Sequence, residues 1–410
     1  MKKLFLSVLS ALGFAAVIAT ADEGAGSPLE AITEGKLLLN LRARYEHAEQ
    51  DGKPEDANAM TLRTLLGWES ASYRGFIVTG QMIDVGRAND NYNDTKNGRT
   101  QFPVVADPDN TDINQLYLDY AGLPDTRLRL GKQSIKLDNV RFIGNVEFRQ
   151  VMQVFTGATL ENRSLPDTTL YAGHLERLKT VFGDQQAIRL DIAHAAWEWK
   201  PGNALVGYGY FYDSAKTASA TGFADNSNRI LGVRADGAYP LRGEWKLLYT
   251  AEYAKQDRYA DGDPRIDADY GHAGIGLGWS VYYVRLDYEL LGSNHGQYGF
   301  QTPLGTNHVF QGWADLFLTT PPQGIRDTYL SAGGPLCKAR WVAEIHDFRS
   351  DYGSIHYGRE FDLGLGYALR KDLAGKIEFA DFHEDDGLTP AAARKRDTQR
   401  IWLTLVYNFG

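Results

Sequence analysis

The sequence predicts an all-β protein, a transmembrane antiparallel β-barrel of eighteen strands, alternatively sixteen, with long extracellular loops and short periplasmic turns. Three observations lead there. Lys2 and Lys3 precede an apolar run from Leu4 to Ala19 and the small-residue pattern Ala19-Thr20-Ala21, which reads as a cleaved secretory leader. Beyond it the chain repeats segments of about ten residues in which every second residue is apolar, the length a tilted strand needs to cross a bilayer. The chain then ends on such a strand, with Ile401, Leu403, Leu405, Tyr407 and Phe409 on one face and Trp402, Thr404, Val406 and Asn408 on the other. A last strand of that kind pairs with the first and removes both sheet edges, which hydrocarbon does not tolerate.

The leader takes residues 1–21, a short periplasmic N-terminal segment residues 22–35, and the barrel residues 36–410. A membrane anchor fits the first run less well, because it is short for a spanning helix of about 20 residues and ends in a cleavage pattern. Mean hydropathy is −0.37, as alternation requires: a strand can be fully apolar on one face and still average near neutral. Loss of Lys2 and Lys3 with the leader leaves 41 basic against 52 acidic residues and moves the net charge from −9 to −11, which argues against a nucleic-acid partner. The one cysteine, Cys337, excludes an internal disulfide and lies far from any lipidation position. The 43 glycines and 12% aromatic content suit tight turns and interfacial girdles.

The first strand is the cleanest, with Leu37, Leu39, Leu41, Ala43 and Tyr45 facing lipid and Asn40, Arg42, Arg44 and Glu46 facing water. Comparable segments follow near 60–70, 75–85, 112–121, 126–133, 152–161, 168–175, 187–199, 204–212, 228–239, 244–256, 269–279, 282–291, 325–332, 336–348, 357–369, 373–382 and 399–409; those near 152, 168 and 325 are the weakest. Connections alternate in length as such a barrel requires. Short links are expected at Ser70–Arg74, Gly122–Asp125, Asn162–Asp167, Lys200–Asn203, Tyr239–Gly243, Ser280–Val281, Gly333–Pro335 and Arg370–Asp372. Long ones are expected at Gly86–Thr111, Ser134–Val151, Asp213–Ser227, Asp257–Ala268, Gly292–Gly324 and His383–Thr398. That parity puts both termini in the periplasm. A soluble β-sandwich also alternates, but its polar face is outside.

On the inner face, Arg42, Arg44, Arg63, Arg127 and Arg129 form a basic wall, and the loop after the fifth strand adds Arg141 and Arg149. Arginines inside a pore select anions by replacing hydration with charge-assisted hydrogen bonds. The second half carries Glu252, Asp287, Glu344 and Asp362, with Arg234, Arg285 and Arg340 among them. Such charges also serve as a structural lattice that pairs across strands and holds the lumen open. Gly274-Ile275-Gly276-Leu277-Gly278 superficially looks like a nucleotide loop, but its glycines alternate on one strand face and no helix follows. The acidic runs at Asp261–Asp269 and Asp381–Asp386 match no calcium loop. No nucleophile motif and no zinc-type spacing appears, so neither an enzyme nor a metal or cofactor is expected.

Several stretches resemble the alginate export family of outer-membrane proteins: Arg129-Leu130-Gly131-Lys132-Gln133, Leu137 through Val146 with Phe148-Arg149-Gln150, Gln101 through Pro108, and Phe300 through Pro321 with its Phe310-Gln311-Gly312-Trp313-Ala314-Asp315. The likeness runs from Leu41 to Phe409. It implies an eighteen-stranded monomeric barrel with a lumen of arginines and acids, through which the best-known members pass an anionic uronate polysaccharide outward. Arg129 and Arg141 lie in the matching stretches, so the resemblance implies a pore-lining role for them. Gly410 departs from the terminal Phe usual in such barrels. The expected function is a passive outer-membrane channel for anionic oligo- or polysaccharides or small anionic solutes, with a general diffusion porin as the alternative and a surface adhesin a further one. Its expected partners are the bilayer, lipopolysaccharide and the outer-membrane assembly machinery.

Overall fold

Period-two alternation produces strands, and the computed structural model contains eighteen of them among the residues it describes, 24–214, 225–385, 387, 389–390 and 393–409. The leader and Gly410 lie outside the described residues. In order the strands are β1 (Lys36–Gln50), β2 (Ala57–Glu69), β3 (Phe76–Arg87), β4 (Asn110–Leu123), β5 (Thr126–Gln133), β6 (Val154–Asn162), β7 (Thr168–Lys179), β8 (Gln185–Lys200) and β9 (Asn203–Ser214), then β10 (Asn228–Pro240), β11 (Trp245–Arg258), β12 (Asp267–Trp279), β13 (Tyr282–Leu291), β14 (Ile325–Leu336), β15 (Ala339–Arg349), β16 (His356–Ala368), β17 (Leu373–Glu384) and β18 (Thr398–Phe409). Each pairs antiparallel with its neighbours in sequence, and β18 closes on β1 in a register running from Leu39 opposite Phe409 to Gln50 opposite Thr398. Closure leaves no sheet edge.

The outer surface follows from alternation. Leu62, Leu118, Leu231, Ile275, Leu286, Ile345, Leu363 and Leu403 are all exposed there, whereas Arg42, Arg44, Glu46, Thr404 and Trp402 on the alternate positions are buried. At the end that carries the short turns, exposed Trp197, Trp199, Tyr239, Trp245, Trp279 and Tyr282 form an aromatic girdle, with Trp279 stacked on Tyr282 at 5.9 Å. Amphipathic rings of this kind mark a lipid–water interface. Leu286 sits in the middle of β13 and is 52% exposed. Placing Arg there is expected to cost about 2–4 kcal/mol, read as a shift in reversible unfolding from vesicles.

At the long-loop end β1 extends past its expected segment, where its outward face turns polar. β1 continues to Gln50 with His47 and Glu49 on that face. One expected turn is misplaced: Gly333-Gly334-Pro335 lies within β14, and the reversal is made by Cys337 and Lys338, with Cys337 in the left-handed region at φ 56°. Proline is tolerated because Pro335 is at the end of its strand, next to the turn.

A short helix, α1 (Pro28–Thr33), precedes the barrel, with the Ser27 hydroxyl accepting from the Glu30 amide at 3.2 Å and Pro28 at its first turn. It docks on the short-turn end through the Ala71 amide, which donates to the Ala31 carbonyl at 2.9 Å. The opposite end sends two loops inward, residues 134–153 and 292–324. Phe142, Phe300, Trp313 and Phe317 from these loops pack against Tyr208, Tyr210, Tyr270, Phe348, Phe382 and Trp402 of the inner wall, forming the main hydrophobic cluster inside the barrel.

Candidate functional site

The two loops form a plug because each supplies the other's backbone partners. The Gly144 amide donates to the Leu304 carbonyl and the Thr306 amide to the Val140 carbonyl, both at 2.9 Å, and the Gln153 side chain donates to the carbonyls of Gly144 and Leu304 at 2.8 and 2.9 Å. A third loop, 88–109, joins through Asp107, which accepts from the Gln150 amide at 2.7 Å. Buried backbone groups need such partners.

The wall arginines divide into two sets. In the first, the guanidinium groups hold the plug. Arg42 donates to Gln150 Oε1 at 2.8 Å, to the Glu147 carbonyl at 2.7 Å and to the Arg149 carbonyl. Arg44 donates to the Phe148 carbonyl at 2.6 Å and lies over the Phe148 ring at 4.4 Å. Arg63, on the neighbouring strand, donates instead to Asn40 of the wall at 2.8 Å. From the loop side, Arg149 meets Glu46 of β1 at 3.2 Å and Asp315 of the second loop at 2.6 Å, with Asp107 at 4.0 Å. Arg141 is fully buried, pairs with Glu289 of β13 at 2.9 Å and donates to Gln311 at 2.7 Å. Burial disfavours both charges of the Arg149–Asp315 contact. His308, then Arg149 and Arg400, nevertheless hold the Asp315 carboxyl well below its usual range, and Glu46 and Asp315 hold Arg149 above its own.

The second set lies toward the short-turn end. Arg129 clamps Asp119 through two hydrogen bonds of 2.6 and 2.7 Å, stacks over Tyr117 at 3.8 Å, and keeps 20% of its side chain accessible. Arg285 clamps Asp287 at 3.0 and 2.6 Å and stays 13% accessible. Its room comes from Gly274 and Gly276, where a Cβ would stand 1.9 Å from Asp287 Oδ1 and 2.4 Å from Arg285 Cγ. Arg234 pairs with Asp236 at 2.8 Å and with Glu252 at 3.0 Å, and Tyr208 donates to Glu252 at 2.7 Å. Arg127 is half-buried and Arg340 is exposed, each the second residue of its strand after a turn. Glu344 and Asp362 lie apart from these pairs, opposite one another on β15 and β16.

Sequence reasoning missed several members. Gln150, fully buried, joins Arg42, Thr61 and Asp107. Arg400 pairs with Glu46 at 2.9 Å and donates to the Ala314 carbonyl at 3.0 Å. Its inward position was available from the alternation of the last strand, but its loop partner was not.

A closed antiparallel barrel with an apolar belt, an aromatic girdle and a charged, loop-plugged lumen is the architecture of an outer-membrane channel. The chain belongs to the alginate export family, whose model matches residues 39–290. Membership makes it a Gram-negative outer-membrane channel rather than an enzyme. Among solved structures it is similar to OccAB2 of Acinetobacter baumannii, with a TM-score of 0.72, 15% identity, and coverage of 93% of this chain and 100% of that one. It is also similar to OccK9 (OpdG) of Pseudomonas aeruginosa, with a TM-score of 0.71, 14% identity, and coverage of 92% and 99%. OpdK of the same organism, solved with vanillate, gives 0.69, 13%, 92% and 99%. At these identities the likeness shows the shared fold. No curated protein matches the sequence.

Proposed function

We propose that the barrel passes carboxylate-bearing saccharides or other small anionic solutes passively, along a path past Arg127, Arg129, Arg285 and Arg340. The observation that carries this reading is the accessible arginine set on the short-turn side of the plug, where Arg129 and Arg285 present partly wet guanidinium groups. Their Asp partners hold the guanidinium planes in place and leave donor edges free to meet a carboxylate. Neighbouring acids such as Asp236 and Glu344 keep binding weak enough for release. A carboxylated aromatic in the related OpdK barrel is consistent with this solute class. Both termini would lie in the periplasm, with the plug loops entering from the outer face beside lipopolysaccharide, in a monomer inserted by the assembly machinery.

The test is block of single-channel current by oligouronates against neutral oligosaccharides of equal length. Saturable block by the uronates alone is expected. Equal, unsaturated passage of both classes would instead describe a general porin.

A further inference from the structure

Elsewhere on the inner wall, buried acids have basic partners: Asp119 with Arg129, Glu252 with Arg234, Asp287 with Arg285, Glu289 with Arg141, and Glu46 with Arg149 and Arg400. One cluster breaks the rule. The register sets Glu344 opposite Asp362 and His346 opposite Glu360, with Asp327 on the adjoining β14. Asp327, His346, Glu360 and Asp362 are buried, and among the described residues none of the four carboxylates has a Lys or Arg within ion-pair distance.

The cluster has one imidazole and two loop amides for four acids. Nδ1 of His346 is held by Asp327 at 3.0 and 3.1 Å. Ala314 donates its amide to Glu360 at 2.6 Å, and Trp313 donates its amide to Asp362 at 3.3 Å. The other ring nitrogen of His346, Nε2, points between Asp362 at 3.6 Å and Glu344 at 3.8 Å, too far for a hydrogen bond. It has no partner, and neither do Asp362 Oδ1 and Glu360 Oε2. Several carboxylates buried together without compensation are strongly unfavourable.

We propose that this is a divalent metal site of the zinc class, with His346 Nε2, Glu344 and Asp362 as ligands and Asp327 fixing the imidazole. One potential ligand atom from each of those three residues lies within 4.8 Å of the others. Bonds of about 2.0–2.1 Å set tetrahedral ligand–ligand edges of about 3.3 Å, so the separations of 3.6 and 3.8 Å from His346 Nε2 to Asp362 and Glu344 would close with movements of a few tenths of an ångström. A nitrogen ligand among oxygens favours zinc-type ions over calcium or magnesium. Asp327 completes the carboxylate–histidine–metal arrangement that orients a ligand ring. Through the Trp313 amide on Asp362, the bound ion would also fasten the second plug loop to the wall. The ligands come from two strands, 16 residues apart between His346 and Asp362, so no local spacing in the sequence announces them.

The experiment uses the full barrel, refolded in detergent, stripped with chelator and titrated with Zn2+ alone, with metal per barrel measured after desalting. Folding of every variant is checked by heat-modifiable gel mobility. One retained equivalent is expected for the wild type, its loss in H346Q, and about 10–100-fold weaker binding in D327N. H47Q, in the exposed cluster of His47, Glu49 and Asp56 at the long-loop end, should bind as the wild type does. Should H346Q fail to fold, Co2+ added to the wild-type barrel decides: an intense tetrahedral visible band supports the site, and the weak spectrum of the hydrated ion overturns it. Retention unchanged in folded H346Q, or lost only in H47Q, would also overturn it.

Discussion

Replacing Arg149 with alanine is expected to loosen the plug by about 3 kcal/mol, the lower end of what breaking a buried ion pair costs. Arg149 joins Glu46 on the wall, Asp315 on the second loop and, more distantly, Asp107 on the third, so its removal leaves three carboxylates short of one cation. The cost stays at the lower end because Arg400 still reaches Glu46 at 2.9 Å and His308 still reaches Asp315 at 2.9 Å. The ladder of eighteen strands does not depend on this contact. The loss should therefore appear as local opening: larger, flickering conductance and faster proteolysis within 134–153 and 292–324, with the barrel's own unfolding midpoint little changed. A quiet channel of wild-type conductance would show that the plug is held elsewhere.

The second large effect concerns selectivity. The triple variant R129Q/R285Q/R340Q removes three accessible positive charges from the short-turn side while leaving the plug contacts of Arg42, Arg44, Arg141 and Arg149 in place. Glutamine keeps a donor for Asp119 and Asp287, which limits the folding penalty. Near a low-dielectric wall each unit charge within about 4 Å of a passing ion is worth up to about 4 kcal/mol. With the paired aspartates left behind, the permeability ratio is expected to swing from anion to cation preference. A variant that folds and keeps the wild-type ratio would reduce these arginines to scaffold.

The barrel was legible because alternation is a local property. Strands β5 and β13 end where the pattern ends, at 126–133 and 282–291, and even the weak segments near 152, 168 and 325 are strands. Legibility failed where local cues mislead. Gly333-Gly334-Pro335 has the composition of a turn but continues β14, and the register irregularity between Leu175 and Arg177 opposite Gly157 blurs the period in β7. For the site, alternation puts Arg42, Arg44 and Arg129 inside, yet it is silent on what they touch. Arg42 and Arg44 bind carbonyls of Glu147, Phe148 and Arg149, which are backbone atoms with no residue signature. The inward turn of 292–324 did leave a trace, since a solvent loop has little reason to carry Phe300, Trp313 and Phe317. The acids around His346 were readable as inward charges singly, and their convergence only from the register.

The measurement that bears most directly on the channel reading is the reversal potential of the refolded mature barrel in a planar bilayer under a salt gradient. Preference for chloride over potassium is expected from the proposed path, because Arg129 and Arg285 are each more accessible than the aspartate they pair with, even though the chain is acidic overall. A reversal potential on the cation side, the sign its net charge alone would give, would contradict the arginine-lined path.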